Sequence, residues 1–162
     1  MLAVALAFGL GGCFGYRVGS SLPSNIRTVH IPPFINRSSE PQIEIETTRA
    51  AVQEFQKDGT LRIADAETAD GILTVQLTQH TLEPLRYEKD HARTTSEYRL
   101  RISAHIIFRR RGVKEPMVDR YVAGETTFVP TGDLTSAKTS ALPAAASDLA
   151  HQIVKNVVEY WE

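Results

Sequence analysis

Residues 97–108 alternate between apolar and polar side chains, and no other stretch of the chain constrains the fold as strongly. The apolar positions are Tyr98, Leu100, Ile102, Ala104, Ile106 and Phe108. A period of two is typical of a strand that buries one face and exposes the other. The run reaches about twelve residues, whereas most strands have about five or six. The chain is therefore expected to form a sheet around this strand.

Two further segments fit the same sheet. Residues 71–82 also alternate, and a last strand is expected around 117–128, after a turn at 111–116. The connections are short, so the three strands are expected to pair as an antiparallel meander. The apolar face of the first segment is formed by Leu73, Val75 and Leu77.

The meander is preceded by two shorter candidates. Residues 26–34 predict a short strand that ends at Pro32 and Pro33, because proline has no N–H to donate to a ladder. Residues 61–64 fit either a short strand or an extended turn.

A first helix is predicted over residues 40–58. Ser39 followed by Gln42 has the spacing of a capping box, and Gly59 stands where a C-terminal cap glycine belongs. Helical spacing predicts an apolar stripe that faces the core, made of Ile45, Thr48, Val52 and Phe55.

A second helix is predicted over residues 136–162. Pro143 is unfavourable inside a helix, so the firm part is expected to begin near Ser140 or to be kinked there. The fold class is thus α+β: a two-layer sandwich with a mainly antiparallel sheet of about four strands and two helices on one face. A chain of 162 residues, 42% of them hydrophobic, suits one such domain, placed at 26–162.

The N-terminal segment carries a different signal. Residues 1–12 are uncharged and too short to cross a bilayer, but they fit the apolar core of a signal peptide. Leu10-Gly11-Gly12-Cys13 matches a lipobox, in which Cys13 accepts the lipid and residues 13–25 form a tether. No Lys or Arg precedes the apolar run, which leaves the true translation start open. The alternative is a frayed terminus with a chance cysteine. Because Cys13 is the chain's one cysteine, an internal disulfide and a multi-cysteine zinc site are excluded.

Positive charge is concentrated in residues 86–111, which hold eight Lys or Arg and three acids, although the net charge of the chain is only −1. That overall balance does not indicate a nucleic-acid-binding protein. Clustered Arg and Lys favour an anion such as phosphate, while the alternative is an ordinary solvated face. The candidate ligands are Arg86, Lys89, Arg93, Arg99 and Arg101.

Motifs for catalysis are missing from the sequence. It has no GxSxG, HExxH, P-loop or GxGxxG pattern, and its five histidines have no metal-ligand spacing. His80 and His105 are both expected on polar strand faces, where they could be neighbours across the ladder as a metal pair or simply surface residues. A binding or structural role is therefore expected, with no cofactor. An unrecognised hydrolase stays open as an alternative and would need a deep polar pocket.

Six segments of the chain carry a further signal when they are taken in order. Their positions are 13–18, 21–23, 26–37, 44–55, 57–62 and 97–100, and they cover most of the chain after the lipobox. In this order they resemble the LptE family of LPS-assembly lipoproteins, in its relatives outside the enterobacteria. The extra Phe14 is a departure from the family pattern.

The resemblance implies a sheet with two helices on one face and a non-enzymatic role. It implies a lipoprotein anchored in the outer membrane on its periplasmic side and bound to the LptD-like β-barrel. The lipoprotein would help the barrel to fold and would help to deliver lipopolysaccharide to the outer leaflet. The basic residues would then be candidates for contacting lipopolysaccharide phosphates. Residues 29–34 alone also fit a TolB- or CsgG-like module of another envelope complex, which stays open as the alternative.

Overall fold

The computed structural model describes residues 22–23, 25–87 and 95–159. The expected signal peptide, Cys13 and most of the tether lie outside the described residues. In the described part no helix is long and apolar enough to cross a membrane. The elements in chain order are β1 Thr28–His30, β2 Ile35–Asn36, α1 Ile43–Asp58, β3 Arg62–Ile63, β4 Gly71–Tyr87, β5 Thr95–Arg110, β6 Pro116–Phe128 and α2 Leu134–Val158.

The strands form one mixed sheet in the order β3-β1-β4-β5-β6, with β2 also paired to β4. β4, β5 and β6 are the predicted antiparallel meander, whereas β1, β2 and β3 make parallel pairs. The α+β class is confirmed. The expectation of about four strands was too low, since the described part has six. β1 lies within the strand predicted at 26–34, whereas β2 and β3 have only two residues each and are too short to show a period in the sequence.

The core lies between the sheet and the two helices. α2 packs across β5 and β6, while α1 packs on α2 and reaches β2 and β3. Most of the apolar residues that alternation assigned to the inner face of β4 and β5 are fully enclosed, including Leu73, Leu77, Leu100, Ile102 and Phe108. Tyr98, at the end of the row, is only partly buried. One helix layer on one sheet face therefore leaves the other face open.

Gly124 lets α2 approach β6 closely. A Cβ at this position would overlap the backbone nitrogen and Cα of Leu149 in α2. Any side chain here would therefore have to push the helix away from the sheet, which explains a glycine inside a long strand.

α1 begins at Ile43 and not at residue 40, and the predicted capping box is wrong. Gln42 has φ 63° and makes no side-chain cap. Asn36 organises this turn instead: its amide donates to the Glu40 carbonyl at 2.8 Å and to the Glu44 carboxylate at 2.9 Å. The C-terminal prediction is confirmed, because Gly59 has φ 75° and donates its N–H to the Phe55 carbonyl.

The buried face of α1 is rotated relative to the predicted stripe. Ile43, Thr47, Ala51 and Phe55 are buried, whereas Ile45 is 65% exposed. Thr47 can lie in the core because its hydroxyl donates to the Ile43 carbonyl at 2.9 Å. A pattern based on apolar residues alone therefore predicted Ile45 in the core, whereas the buried isoleucine is Ile43.

α2 begins at Leu134, earlier than either predicted start. The Asp133 carboxylate caps it by accepting a hydrogen bond from the Ser136 N–H, and this bond lowers the pKa of Asp133. The helix continues through Pro143 without interruption. The cap and the packing on β5 and β6 outweigh the one helical hydrogen bond that proline cannot make.

A β-bulge in β4 moves part of the strand to the other face. The pairing with β5 shifts between Leu77 and Gln79, so Thr78 is an extra residue. Beyond it His80 lies opposite Ile102, a residue of the helix side. The expectation that His80 lies on the polar face was therefore wrong.

Candidate functional site

The open face of the sheet carries the basic residues that can be located. Arg99 and Arg101 flank Leu100 in β5, and since Leu100 is buried under the helices, both arginines point to the other side. The prediction that the two arginines share one face is confirmed. Their positions two residues apart in the strand, about 7 Å, on the open face would allow one anion to contact both.

Glu125 of β6 lies between these arginines. Its carboxylate is 3.3 Å from Arg101 Nη1 and 3.8 Å from Arg99 Nε. All three side chains are between 37% and 47% exposed, so the ion pairs are screened by water and contribute little to stability. The Arg99 Nε atom is itself enclosed and has no hydrogen-bond partner among the described residues.

Arg86 stands further along the hairpin, where β4 and β5 leave the helix layer. Its Nε lies 3.2 Å from the Glu97 carboxylate, and its side chain is 78% exposed. Lys89 and Arg93, the other two candidates, lie outside the described residues. Each candidate arginine that the structure describes is thus already paired with a carboxylate, which a bound phosphate would have to share or displace.

Sequence reasoning missed Glu125. The charge count covered the contiguous stretch 86–111, whereas a strand's nearest charged neighbour often belongs to the next strand. Pairing the two predicted strands in register would have found it, because Arg101 and Glu125 are directly opposite.

The two strand histidines are not neighbours. His105 lies opposite Tyr121, on which its ring stacks at 4.5 Å, and its Nε2 is 2.6 Å from Asp119 Oδ1. His80 lies on the opposite face of the sheet. In residues 22–23, 25–87 and 95–159 no group of three His, Cys, Asp or Glu residues could hold a metal ion.

His80 belongs to a polar cluster between the sheet and the helices. Its Nδ1 is 3.7 Å from Glu40 Oε2, and Glu40 also accepts hydrogen bonds from Lys138 Nζ at 2.8 and 2.9 Å. The His80 side chain is only 7% exposed. Burial lowers its pKa, and it outweighs the attraction of Glu40, which acts in the opposite direction. The cluster joins the turn before α1, β4 and the N-terminal part of α2.

A groove between the two helices has the arrangement most similar to a catalytic one. It encloses about 410 Å³ and holds His151, whose Nδ1 is 3.3 Å from Glu54 Oε1, together with Ser147. Within the described part of the chain, no hydrogen bond links Ser147 to His151, although nucleophilic catalysis uses such a bond. The groove is open and the His151 side chain is 62% exposed, so the site resembles a helix-surface ion pair.

Comparison with known structures gives the fold independently. The protein CT253 from Chlamydia trachomatis is 9% identical, with a TM-score of 0.58 over 82% of this chain and 95% of that one. Protein XCC0632 from Xanthomonas campestris is 15% identical, with a TM-score of 0.55 over 88% and 90%. A minor lipoprotein from Acinetobacter baumannii is 11% identical, with a TM-score of 0.54 over 81% and 91%. At these identities the likeness is one of fold alone.

Comparison with curated protein sequences gives no match. Family models give a clear result, because the model for LptE, described as lipopolysaccharide-assembly, matches residues 26–157. This range runs from just before β1 to the last turn of α2 and so includes all elements of the sheet and both helices. The chain therefore belongs to the LptE family of lipopolysaccharide-assembly proteins.

Proposed function

We propose that this chain is an outer-membrane lipoprotein that binds an LptD-like β-barrel, helps it to assemble and helps to deliver lipopolysaccharide to the outer leaflet. The observation that carries the proposal is the family match over residues 26–157. The role is one of binding, without catalysis. A sheet with one face open to solvent supports it, since such a face offers a broad contact surface.

The anchor is proposed at Cys13, on the periplasmic side of the membrane. Its support is the Leu10-Gly11-Gly12-Cys13 pattern that follows an uncharged apolar run. One acyl chain binds a membrane only reversibly, at about 0.8 kcal/mol per buried methylene, so stable anchoring needs more than one chain.

The basic residues are proposed to contact lipopolysaccharide phosphates. Arg99 and Arg101 would do so from the open face and Arg86 from the end of β4, while Lys89 and Arg93, which lie outside the described residues, are the remaining candidates. The support is the shared face of Arg99 and Arg101 and the high exposure of Arg86.

A pull-down from detergent-solubilised outer membranes tests the partner. The lipidated full-length chain should retain a large β-barrel protein, identified by mass spectrometry, together with lipopolysaccharide. Recovery of a different envelope complex with no such barrel would contradict the proposal and favour the TolB- or CsgG-like alternative.

A cysteine substitution tests the anchor separately. Cys13→Ala should abolish incorporation of labelled fatty acid and leave a protein that is uncleaved or no longer fractionates with membranes. Cys13→Ser is the matched control for side-chain size, and it should behave in the same way. Normal acylation of either variant would contradict an anchor at this residue.

A further inference from the structure

The outer edge of β6 is a long strand edge beside which the described residues place no other strand. β6 runs over 13 residues and pairs only with β5 among the described strands. The opposite edge of the sheet is β3, which has only two residues. The two edges therefore differ greatly in how much backbone they offer for pairing.

The direction of the free backbone groups follows from one hydrogen bond. The Glu125 N–H donates to Asp148 Oδ2 of α2 at 2.8 Å, so it points away from β5. In an antiparallel pair, successive residues point alternately toward and away from the partner strand. The pairing has no register shift from Tyr98 to Phe108, so Asp119, Tyr121 and Ala123 also direct their N–H groups outward.

Among the residues that the structure describes, protecting features lie only at the ends of this edge. Proteins usually protect an edge with Pro, Lys, a bulge or a covering element. Pro116 and a bulge beside Arg109 protect one end, and Asp148 caps the other. Between them, in the described part of the chain, the N–H groups of residues 119, 121 and 123 make no hydrogen bond.

A side chain on this stretch of the edge is also accessible. Tyr121 is 75% exposed, and its ring is held in place by stacking on His105, which is in turn fixed by Asp119. A ring that is both exposed and held in one orientation loses little conformational freedom when a partner contacts it.

We propose that residues 119–123 of β6 bind an extended segment of the barrel partner as an added strand. The inference rests on the proposed function for the partner's identity. The edge requires a segment in extended conformation. Its outward N–H and C=O groups recur about every 7 Å, and the matching groups of a second extended backbone have the same spacing. The next outward N–H along the edge, that of Glu125, already donates to the Asp148 carboxylate, which shows that these groups can bond an acceptor outside the sheet.

A proline substitution tests the edge without changing the β5–β6 ladder. Ala123→Pro removes a single outward N–H and places a ring where the added strand would lie, a position at which edge strands tolerate proline. Ala123→Val keeps the N–H and is the matched control. Full-length variants are co-expressed with the barrel, and their affinity for it is measured after purification. We expect Ala123→Pro to bind about tenfold more weakly, and Ala123→Val to bind as the wild type does.

Amide hydrogen exchange on the wild-type chain keeps the inference testable if Ala123→Pro does not fold. The amides of residues 119, 121 and 123 should exchange at least about tenfold more slowly in the barrel complex than in the free chain. Unchanged exchange in the complex would overturn the inference. Edge amides already protected in a free chain with the mass of a dimer would also overturn it, by assigning the edge to a second copy.

The two proposals fail in distinguishable ways. A wild-type chain that does not bind the barrel would overturn the proposed function and, with it, the partner of the edge. Equal binding by the wild type and a folded Ala123→Pro variant would overturn the edge inference alone.

Discussion

On one face of β5, Leu100, Ile102 and Ile106 are completely enclosed by the helices. On the other face, Arg99, Arg101 and His105 keep between 20% and 47% of their side chains exposed and lie beside carboxylates of β6. The same backbone thus carries one face fixed by close packing and one held by screened ion pairs. Substitutions on the first face should act through stability, and those on the second through binding.

Phe55→Ala should have the largest effect, because it empties a fully buried site in the core. We expect it to lower the free energy of unfolding by about 3–5 kcal/mol. Ile45→Ala on the same helix, at a site 65% exposed, should change it by less than about 0.5 kcal/mol. Chemical denaturation of both variants checks this. A large loss of unfolding free energy in Ile45→Ala would indicate that α1 buries the stripe predicted from the sequence.

Gly124→Ala should have the next largest effect. The added methyl group overlaps the Leu149 backbone, so α2 must shift, and we expect a loss of about 2–3 kcal/mol. Ala123→Ser, one residue away on the open face, should cost less than about 0.5 kcal/mol. Thermal unfolding of the pair measures the difference. Equal melting temperatures would mean that the two faces are equally tolerant.

His80 should make stability depend on pH. Its pKa in the folded state lies below the ordinary value of 6.5, mainly because of burial. As the pH falls below 6.5, His80 takes up a proton more readily in the unfolded chain than in the folded one. The contribution of neutral His80 to stability is therefore lost as the pH falls from 6.5 toward the folded-state pKa. Unfolding free energies of wild type and His80→Gln between about pH 5 and 7.5 test this. The same slope in both proteins would exclude His80 as its source.

Charge reversal of the candidate basic residues at positions 86–93 should have the smallest effect on stability. Replacing Arg86, Lys89 and Arg93 by Glu should change the unfolding free energy by less than about 1 kcal/mol. It should weaken lipopolysaccharide binding roughly fivefold at low salt, and less at high salt because charges are screened within about 10 Å at 0.1 M.

A matched triple variant distinguishes the effect of where the charges lie from the effect of the chain's net charge. Arg109 and Arg110 lie at the end of β5 that pairs with the start of β4, and Lys114 lies in the turn between β5 and β6. Their replacement by Glu makes the same change in charge. Equal loss of lipopolysaccharide affinity in both triple variants would indicate a general charge effect. The basic residues at 86–101 would then be an ordinary solvated face.

Sequence reasoning succeeded where a period extended over many residues. The alternation through Ile102 and its neighbours predicted the meander and placed Arg99 and Arg101 on one face, and Gly59 marked the end of α1. It failed where a single residue decided the outcome. Two-residue strands have no period, and a satisfied hydroxyl made Thr47 a core residue in place of Ile45. The partner of the arginines was missed because it is near in space but distant in sequence.

The bulge at Thr78 has a consequence for how this strand can change in evolution. Because Thr78 is the residue without a partner in the ladder, deleting it would restore a regular ladder with Gln79 still opposite Ser103 and His80 still opposite Ile102, each on its present face. A one-residue deletion further along β4 would instead move every later side chain of the strand to the other face of the sheet. Relatives that lack the extra residue should therefore keep the same order of polar and apolar side chains in the remainder of the strand.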